Sequence, residues 1–268
     1  MKGAFVGDII GSAYEWSGMK STVFPLHVPA SHATDDSFMT AAVALAFGKA
    51  RKAGMPETQE VLAPILCREM RTIGRRHIHA GFGHIFKKWL LSDDAGPYGS
   101  FGNGAPMRVS PAAWYGRNME ETKKLALISA SVSHNHPSSE KAAECVAGSI
   151  FLARQKATKA ELEDYMKRFY KLPESLEAAR NKEPKDATCD GTVPDALLCF
   201  LSAKDYEEAV RNAVSLGGDS DTLAAMAGSI AEPFFGIPER ILAWAELLFT
   251  PEMREALALY KENTAGGN

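Results

Sequence analysis

Gly217-Gly218-Asp219-Ser220-Asp221-Thr222 sets two carboxylates and two hydroxyls between two apolar segments. Upstream, Val210, Ala213 and Val214 have the spacing of a helix end, and Gly217 is the kind of residue that stops a helix. Downstream, Leu223, Met226, Ala227 and Ile230 fall at i, i+3, i+4 and i+7, which starts a second helix at about Asp221. Such a junction has an ordinary explanation, since either Asp219 or Asp221 can cap the new helix. Two Asp and a Thr beside paired glycines, entering a helix rich in Ala and Gly, point equally to a site for a hard cation.

A second junction repeats the pattern. His32-Ala33-Thr34-Asp35-Asp36-Ser37 places a hydroxyl and two carboxylates just ahead of a helix whose Phe38, Ala41, Ala42 and Leu45 keep helical spacing. Neighbouring helical residues point about 100° apart, so these oxygens converge only where the backbone turns at the junction. Carboxylate, hydroxyl and water oxygens suit Mg²⁺, Mn²⁺ or Ca²⁺ rather than zinc. Four Asp carboxylates gathered in one place repel one another, and charge balance asks for about two divalent ions.

Outward from these junctions almost every segment has a helical pattern, and strand-like alternation is nearly absent. Thr158-Lys159-Ala160-Glu161 is a capping box, followed by Leu162, Tyr165, Met166 and Phe169 on one face. Pro173, Pro184, Pro194, Pro233, Pro238 and Pro251 are expected at helix starts and breaks, and Asn181 to Asp190 as an exposed polar loop. With no repeat, linker or low-complexity tract, the expectation is one all-α domain over 1–264 and a disordered tail at 265–268. The chain has 268 residues, of which 46% are hydrophobic and 24% charged, the proportions of an ordinary globular protein with a sizeable core. A net charge of -3 gives no electrostatic reason for nucleic-acid or membrane-surface binding. The apolar run at the N-terminus is short for a signal peptide and no segment approaches a membrane span, so a cytoplasmic monomer is expected. Cys67, Cys145, Cys189 and Cys199 stand singly and are taken as reduced.

Three further stretches carry potential chemistry. Gly3, Gly7, Gly11 and Ser12 form a strip of small residues for close helix packing, followed by Tyr14 and Glu15. Glu15 is compatible with a solvated surface carboxylate and with one facing the acidic junctions, and spacing does not choose. In Tyr98-Gly99-Ser100-Phe101-Gly102-Asn103-Gly104-Ala105-Pro106-Met107-Arg108, glycines ahead of an expected helix expose N–H groups to an anion, although a plain turn explains them too. Ser133-His134-Asn135-His136-Pro137 is either a capping turn or a ligand contact. His77, His79 and His84 fit no zinc spacing and are assigned to the surface or a substrate wall.

Together these pieces resemble the ADP-ribosylglycohydrolase family over nearly the whole chain. The motifs occur in the family's order: Gly7-Asp8-Ile9-Ile10-Gly11-Ser12-Ala13-Tyr14-Glu15, Thr34-Asp35-Asp36-Ser37, Gly102 to Arg108, Ser133 to Pro137, and Gly217 to Thr222. Each is weak alone, and five in order are specific. Ala105-Pro106 departs from the family's pattern, in which small residues such as Gly or Ser together with Ala are usual. The resemblance implies an all-α orthogonal bundle with two Mg²⁺ (or Mn²⁺) ions at the base of an ADP-ribose cleft, held by Thr34, Asp35, Asp36, Asp219, Asp221 and Thr222. It matches Glu15 to a mobile glutamate near the metals, and Glu15, Asp35 and Asp36 become the candidates for proton transfer. Ser100, Phe101, Gly102, Asn103, Gly104 and Met107 belong to the diphosphate-holding segment and its surroundings, and His134 to the nucleotide side. The implied activity is hydrolysis of the N- or O-glycosidic bond between ADP-ribose and an acceptor, which could be arginine, serine, a nucleobase or a free metabolite. Two rivals stay open: a metal-dependent phosphohydrolase of a nucleotide-sugar, which would release AMP, and a weak or inactive ADP-ribose-binding protein.

Overall fold

Small polar residues mark the helix starts. Thr34, Asn118, Thr158, Ser175, Thr188 and Asp205 each accept a backbone N–H two or three residues ahead, satisfying a donor that the first turn leaves open. The computed structural model describes residues 1–183 and 185–265, and it begins with α1 (Lys2–Ser12), α2 (Asp35–Lys52), α3 (Gln59–Arg76), α4 (His84–Leu91) and α5 (Ser110–Tyr115). Then follow α6 (Met119–Ser131), α7 (Pro137–Arg154), α8 (Lys159–Lys167), α9 (Leu176–Asn181) and α10 (Cys189–Leu201). The chain closes with α11 (Tyr206–Val214), α12 (Ser220–Phe235), α13 (Glu239–Leu247) and α14 (Pro251–Ala265). This is the all-α, single-domain bundle expected from the sequence, and the pairing of Gly102 with Thr188 is an isolated bridge.

The core is built on α12 and its partner α1. Every residue of α12 from Ser220 to Ala231 is buried, as is α1 from Gly3 to Ser12, because each helix is packed on most of its circumference. Small residues let the two backbones touch. A Cβ added to Gly7 would stand 2.1 Å from the Ala224 carbonyl oxygen, and one added to Gly11 would stand 2.5 Å from the Asp221 Cα. The start of α1 is satisfied from across the bundle, where Glu232 accepts the Met1 ammonium at 2.6 Å and the Gly3 N–H at 2.8 Å. Around this pair, α12 also meets α2, α7, α10 and α11, while α2 packs on α3 and α14.

Some details differ from expectation. Pro194 and Pro233 lie inside α10 and α12, in the second turn and near the last, where one missing backbone bond is tolerated by the packing of the rest. The stretch from Asn181 to Asp190 is only partly an exposed loop, since Asn181 ends α9 and Cys189 begins α10. Its end pairs with the glycine-rich segment, for Ala187 accepts the Asn103 N–H at 2.9 Å and Cys189 donates to the Phe101 carbonyl at 2.9 Å. α14 continues through Ala265, one residue into the tail expected to fray, and positions 266–268 lie outside the described residues.

Candidate active site

Three segments distant in sequence meet at the C-terminal end of α1. Gly217 and Gly218 both take left-handed φ values, 73° and 70°, which reverse the chain between α11 and α12. The Gly218 carbonyl then accepts the Trp16 N–H at 2.8 Å, binding the segment after α1 to this turn. From α1 itself Asp8, wholly buried, reaches the start of α2 and takes the Thr34 N–H at 3.0 Å, the Ser37 N–H at 3.1 Å and the Thr34 hydroxyl at 2.6 Å. Thr34 caps α2, and Thr222 of α12 donates to Asp36 Oδ2 at 2.9 Å, which closes the junction.

The carboxylates form two sets that share Asp221. Oxygens of Asp8, Asp36 and Asp221 lie within 4.8 Å of one another, and so do oxygens of Glu15, Asp219 and Asp221. Asp36 Oδ1 and Asp221 Oδ1 are buried with no hydrogen-bond partner among the described residues. Burial, and then the charges of neighbouring carboxylates, hold Asp35, Asp36 and Asp221 well above the usual carboxylate range. Asp8 is raised as well, by burial that outweighs its three hydrogen bonds, and Glu15 by burial and then Asp219. Orphaned carboxylate oxygens, surrounded by further carboxylates and threonine hydroxyls, form an all-oxygen donor set that fits a hard divalent cation.

Above these groups opens a cleft of about 380 Å³. Glu15, Asp35, Asp219, Asp221 and Thr222 line it, whereas Thr34 and Asp36 are buried and do not. From the glycine-rich segment Ser100, Gly102, Asn103, Gly104 and Met107 line it, together with His134. Phe101 does not reach the lining: its ring is exposed and meets His136 edge-on at 5.7 Å. The alternatives left open at Glu15 are resolved in geometry, because this exposed side chain also faces the acidic sets, with Trp16 Nε1 donating to it at 2.8 Å.

The glycine-rich segment differs from the expected anion cradle. The Gly99 N–H is taken by Asn135 Oδ1 at 2.7 Å and the Gly102 N–H by Ser100 Oγ at 3.2 Å, while the next helix waits until Ser110. Asn103 does more than hold the loop, for its Nδ2 donates to Asp219 Oδ2 at 2.7 Å and ties the loop to the acidic floor. Asp8 was absent from the sequence-derived site, although one acid inside the apolar run Phe5-Val6-Gly7-Asp8-Ile9-Ile10 was a signal for a buried, partnered carboxylate. Trp16, Phe86, Tyr98 and Arg108 also line the cleft without having been singled out as site residues.

Comparison with known proteins gives the same family. The sequence model of the ADP-ribosylglycohydrolase family matches residues 1–265. The chain is 26% identical to human (Homo sapiens) ADP-ribosylhydrolase ARH3 over 315 residues, covering 92% of this chain and 87% of that protein. It is 26% identical over 153 residues to the ADP-ribosylarginine hydrolase Tri1 of Pseudomonas putida, covering 54% and 41% of the two chains. A solved structure described as an ADP-ribosylglycohydrolase-related protein complex superposes with a TM-score of 0.69 at 26% identity, over 98% of this chain and 97% of that one.

Proposed function

Because the chain belongs to the ADP-ribosylglycohydrolase family, we propose that it hydrolyses the N- or O-glycosidic bond joining ADP-ribose to an acceptor on an ADP-ribosylated substrate. The observation that carries this is the pair of acidic sets sharing Asp221 at the floor of a cleft walled by the glycine-rich segment. Thr34, Asp35, Asp36, Asp219, Asp221 and Thr222 would hold two Mg²⁺ or Mn²⁺ ions, which supply Lewis-acid stabilisation and orientation of oxygens when bound. Asp8 keeps Thr34 and the first turn of α2 in place through its three hydrogen bonds.

Cleavage at the anomeric carbon needs a proton given to the leaving group and one taken from water. Glu15 is suited to this exchange, being an exposed carboxylate at the floor and held by an indole N–H. Asp35, also on the lining, is the second candidate, and Asp36, buried behind Thr222, is better placed to hold a cation than to trade protons with the cleft. Ser100 and Gly104 border the space assigned to the diphosphate, and His134 lines the same cleft on the side assigned to the nucleotide.

A panel of ADP-ribosylated arginine, serine, nucleobase and small-molecule substrates, incubated with and without Mg²⁺ or Mn²⁺, tests the reading by product mass. Intact ADP-ribose formed only with the metal supports it. Release of AMP would make the protein a phosphohydrolase, and binding of ADP-ribose without turnover on any substrate would make it a reader.

A further inference from the structure

One wall of the cleft carries a buried positive charge that the chemistry above does not use. Arg108 is 0% exposed, and its Nη2 donates to the Ser129 carbonyl at 2.9 Å and to Ser133 Oγ at 2.8 Å. Its Nε and Nη1 have no partner among the described residues, and its guanidinium carbon lies 5.5 Å from the centre of the Phe86 ring. A buried guanidinium with two unpartnered nitrogens is costly, so its position calls for an explanation.

Among the described residues, one arrangement alone gives both the Ser133 hydroxyl proton and His134 Nδ1 a partner. A guanidinium can only donate, so the Ser133 oxygen accepts from Arg108, and the serine's own proton needs an acceptor. His134 Nδ1 stands 2.8 Å from that oxygen. With Nδ1 accepting, the imidazole proton sits on Nε2. Burial, and after it the charge of Arg108, hold His134 well below its ordinary range, which keeps the ring neutral. Phe86 and Tyr98 bracket the ring at centroid distances of 5.8 and 5.6 Å. Its Nε2 edge lies against the glycine-rich segment, where a Cβ on Gly104 would come within 2.7 Å of Nε2.

We propose that Arg108 is a positioning residue: acting through the Ser133 hydroxyl, it fixes His134 as a neutral imidazole with its proton on Nε2, the donor for an anionic oxygen of the ligand beside Gly104. The identity of that ligand as ADP-ribose rests on the function proposed above, whereas the tautomer does not. Long-range ¹H–¹⁵N spectra of the ¹⁵N-histidine-labelled full chain read the tautomer directly, and calorimetry with ADP-ribose reads the donor. The expected wild-type spectrum has His134 protonated on Nε2, with Nδ1 as a hydrogen-bonded acceptor. Ser133→Ala should displace the Nδ1 signal and weaken ADP-ribose binding roughly three- to tenfold, the scale of one hydrogen bond, without changing the fold. His134→Gln, which keeps an N–H near the Nε2 position, should bind ADP-ribose more tightly than His134→Met. A wild-type proton on Nδ1, or a Ser133→Ala protein with unchanged spectrum and affinity, overturns the proposal. The expected spectra in a protein that binds no ADP-ribose would support the arrangement and overturn the ligand assignment instead.

Discussion

Glu15 shares its acidic set with Asp219 and Asp221 yet is exposed, so its charge can be removed without disturbing the core. Glu15→Gln keeps the size and removes the basicity. If Glu15 moves a proton, single-turnover hydrolysis should fall by about 10²–10⁴ while ADP-ribose affinity and melting temperature change little. Wild-type kinetics in this variant would take Glu15 out of the mechanism. Asp221 is the opposite case, a buried carboxylate between others, raised by burial and then by Asp219. Asp221→Asn should abolish turnover and weaken divalent-ion binding, and at neutral pH it should raise the melting temperature of metal-free protein, because one repulsive charge is gone. A lower metal-free melting temperature with full activity would contradict both halves. At Asn103 the sequence suggested a residue of the diphosphate-holding segment, and its bond to Asp219 Oδ2 couples that segment to the acidic floor. Asn103→Ala is therefore expected to lower both ADP-ribose affinity and cation occupancy, which titration of each ligand separately would show.

The strip of glycines on α1 is where sequence and element agree most directly. Gly7→Ala forces a Cβ to within 2.1 Å of the Ala224 carbonyl oxygen, and both backbones are buried, so neither can yield locally. Destabilisation of about 3 kcal/mol or more is expected by chemical denaturation, with a loss near zero meaning that α1 and α12 can slide apart. Helix positions were legible where the signal is local: the Thr158–Glu161 box, the Gly217 stop and the helix opening after Thr34 all depend on residues within one turn. The partners of those elements were less legible. The side chain of Asp219 stands at the N-cap of α12 without capping it and is instead bonded by Asn103, a contact 116 positions away. The end of the 181–190 stretch looked like exposed loop because its polar residues conceal a backbone pairing with Phe101 and Asn103 that no side-chain pattern encodes. Pro194 and Pro233 likewise signal breaks, yet tertiary packing carries the helices through them.

At the scale of the whole molecule, residues 8–15, 34–37 and 219–222 are brought together by the close packing of α1 on α12, and the fold thereby concentrates negative charge in one buried place. Such a site opposes folding unless something neutralises it. A carboxyl raised by burial and by its neighbours binds a proton more tightly in the folded chain than in the unfolded one. The folded state therefore gains from low pH, and this contribution is lost as pH climbs from the ordinary carboxylate range through the raised values of Asp8, Asp35, Asp36 and Asp221. A divalent cation compensates the same charge without a proton, so it should matter most where the carboxyls would otherwise be ionised. Melting temperatures measured across pH 5 to 8 in chelator should show a component of stability falling toward the alkaline end, and saturating Mg²⁺ or Mn²⁺ should restore it there while adding less at pH 5. Asp36→Asn, which removes one of these charges, should flatten the chelator profile and shrink the metal-induced gain. The idea fails if metal raises the melting temperature equally at both ends of the range, or if Asp36→Asn leaves both curves where they were, since neither result is compatible with a buried carboxylate cluster awaiting a cation.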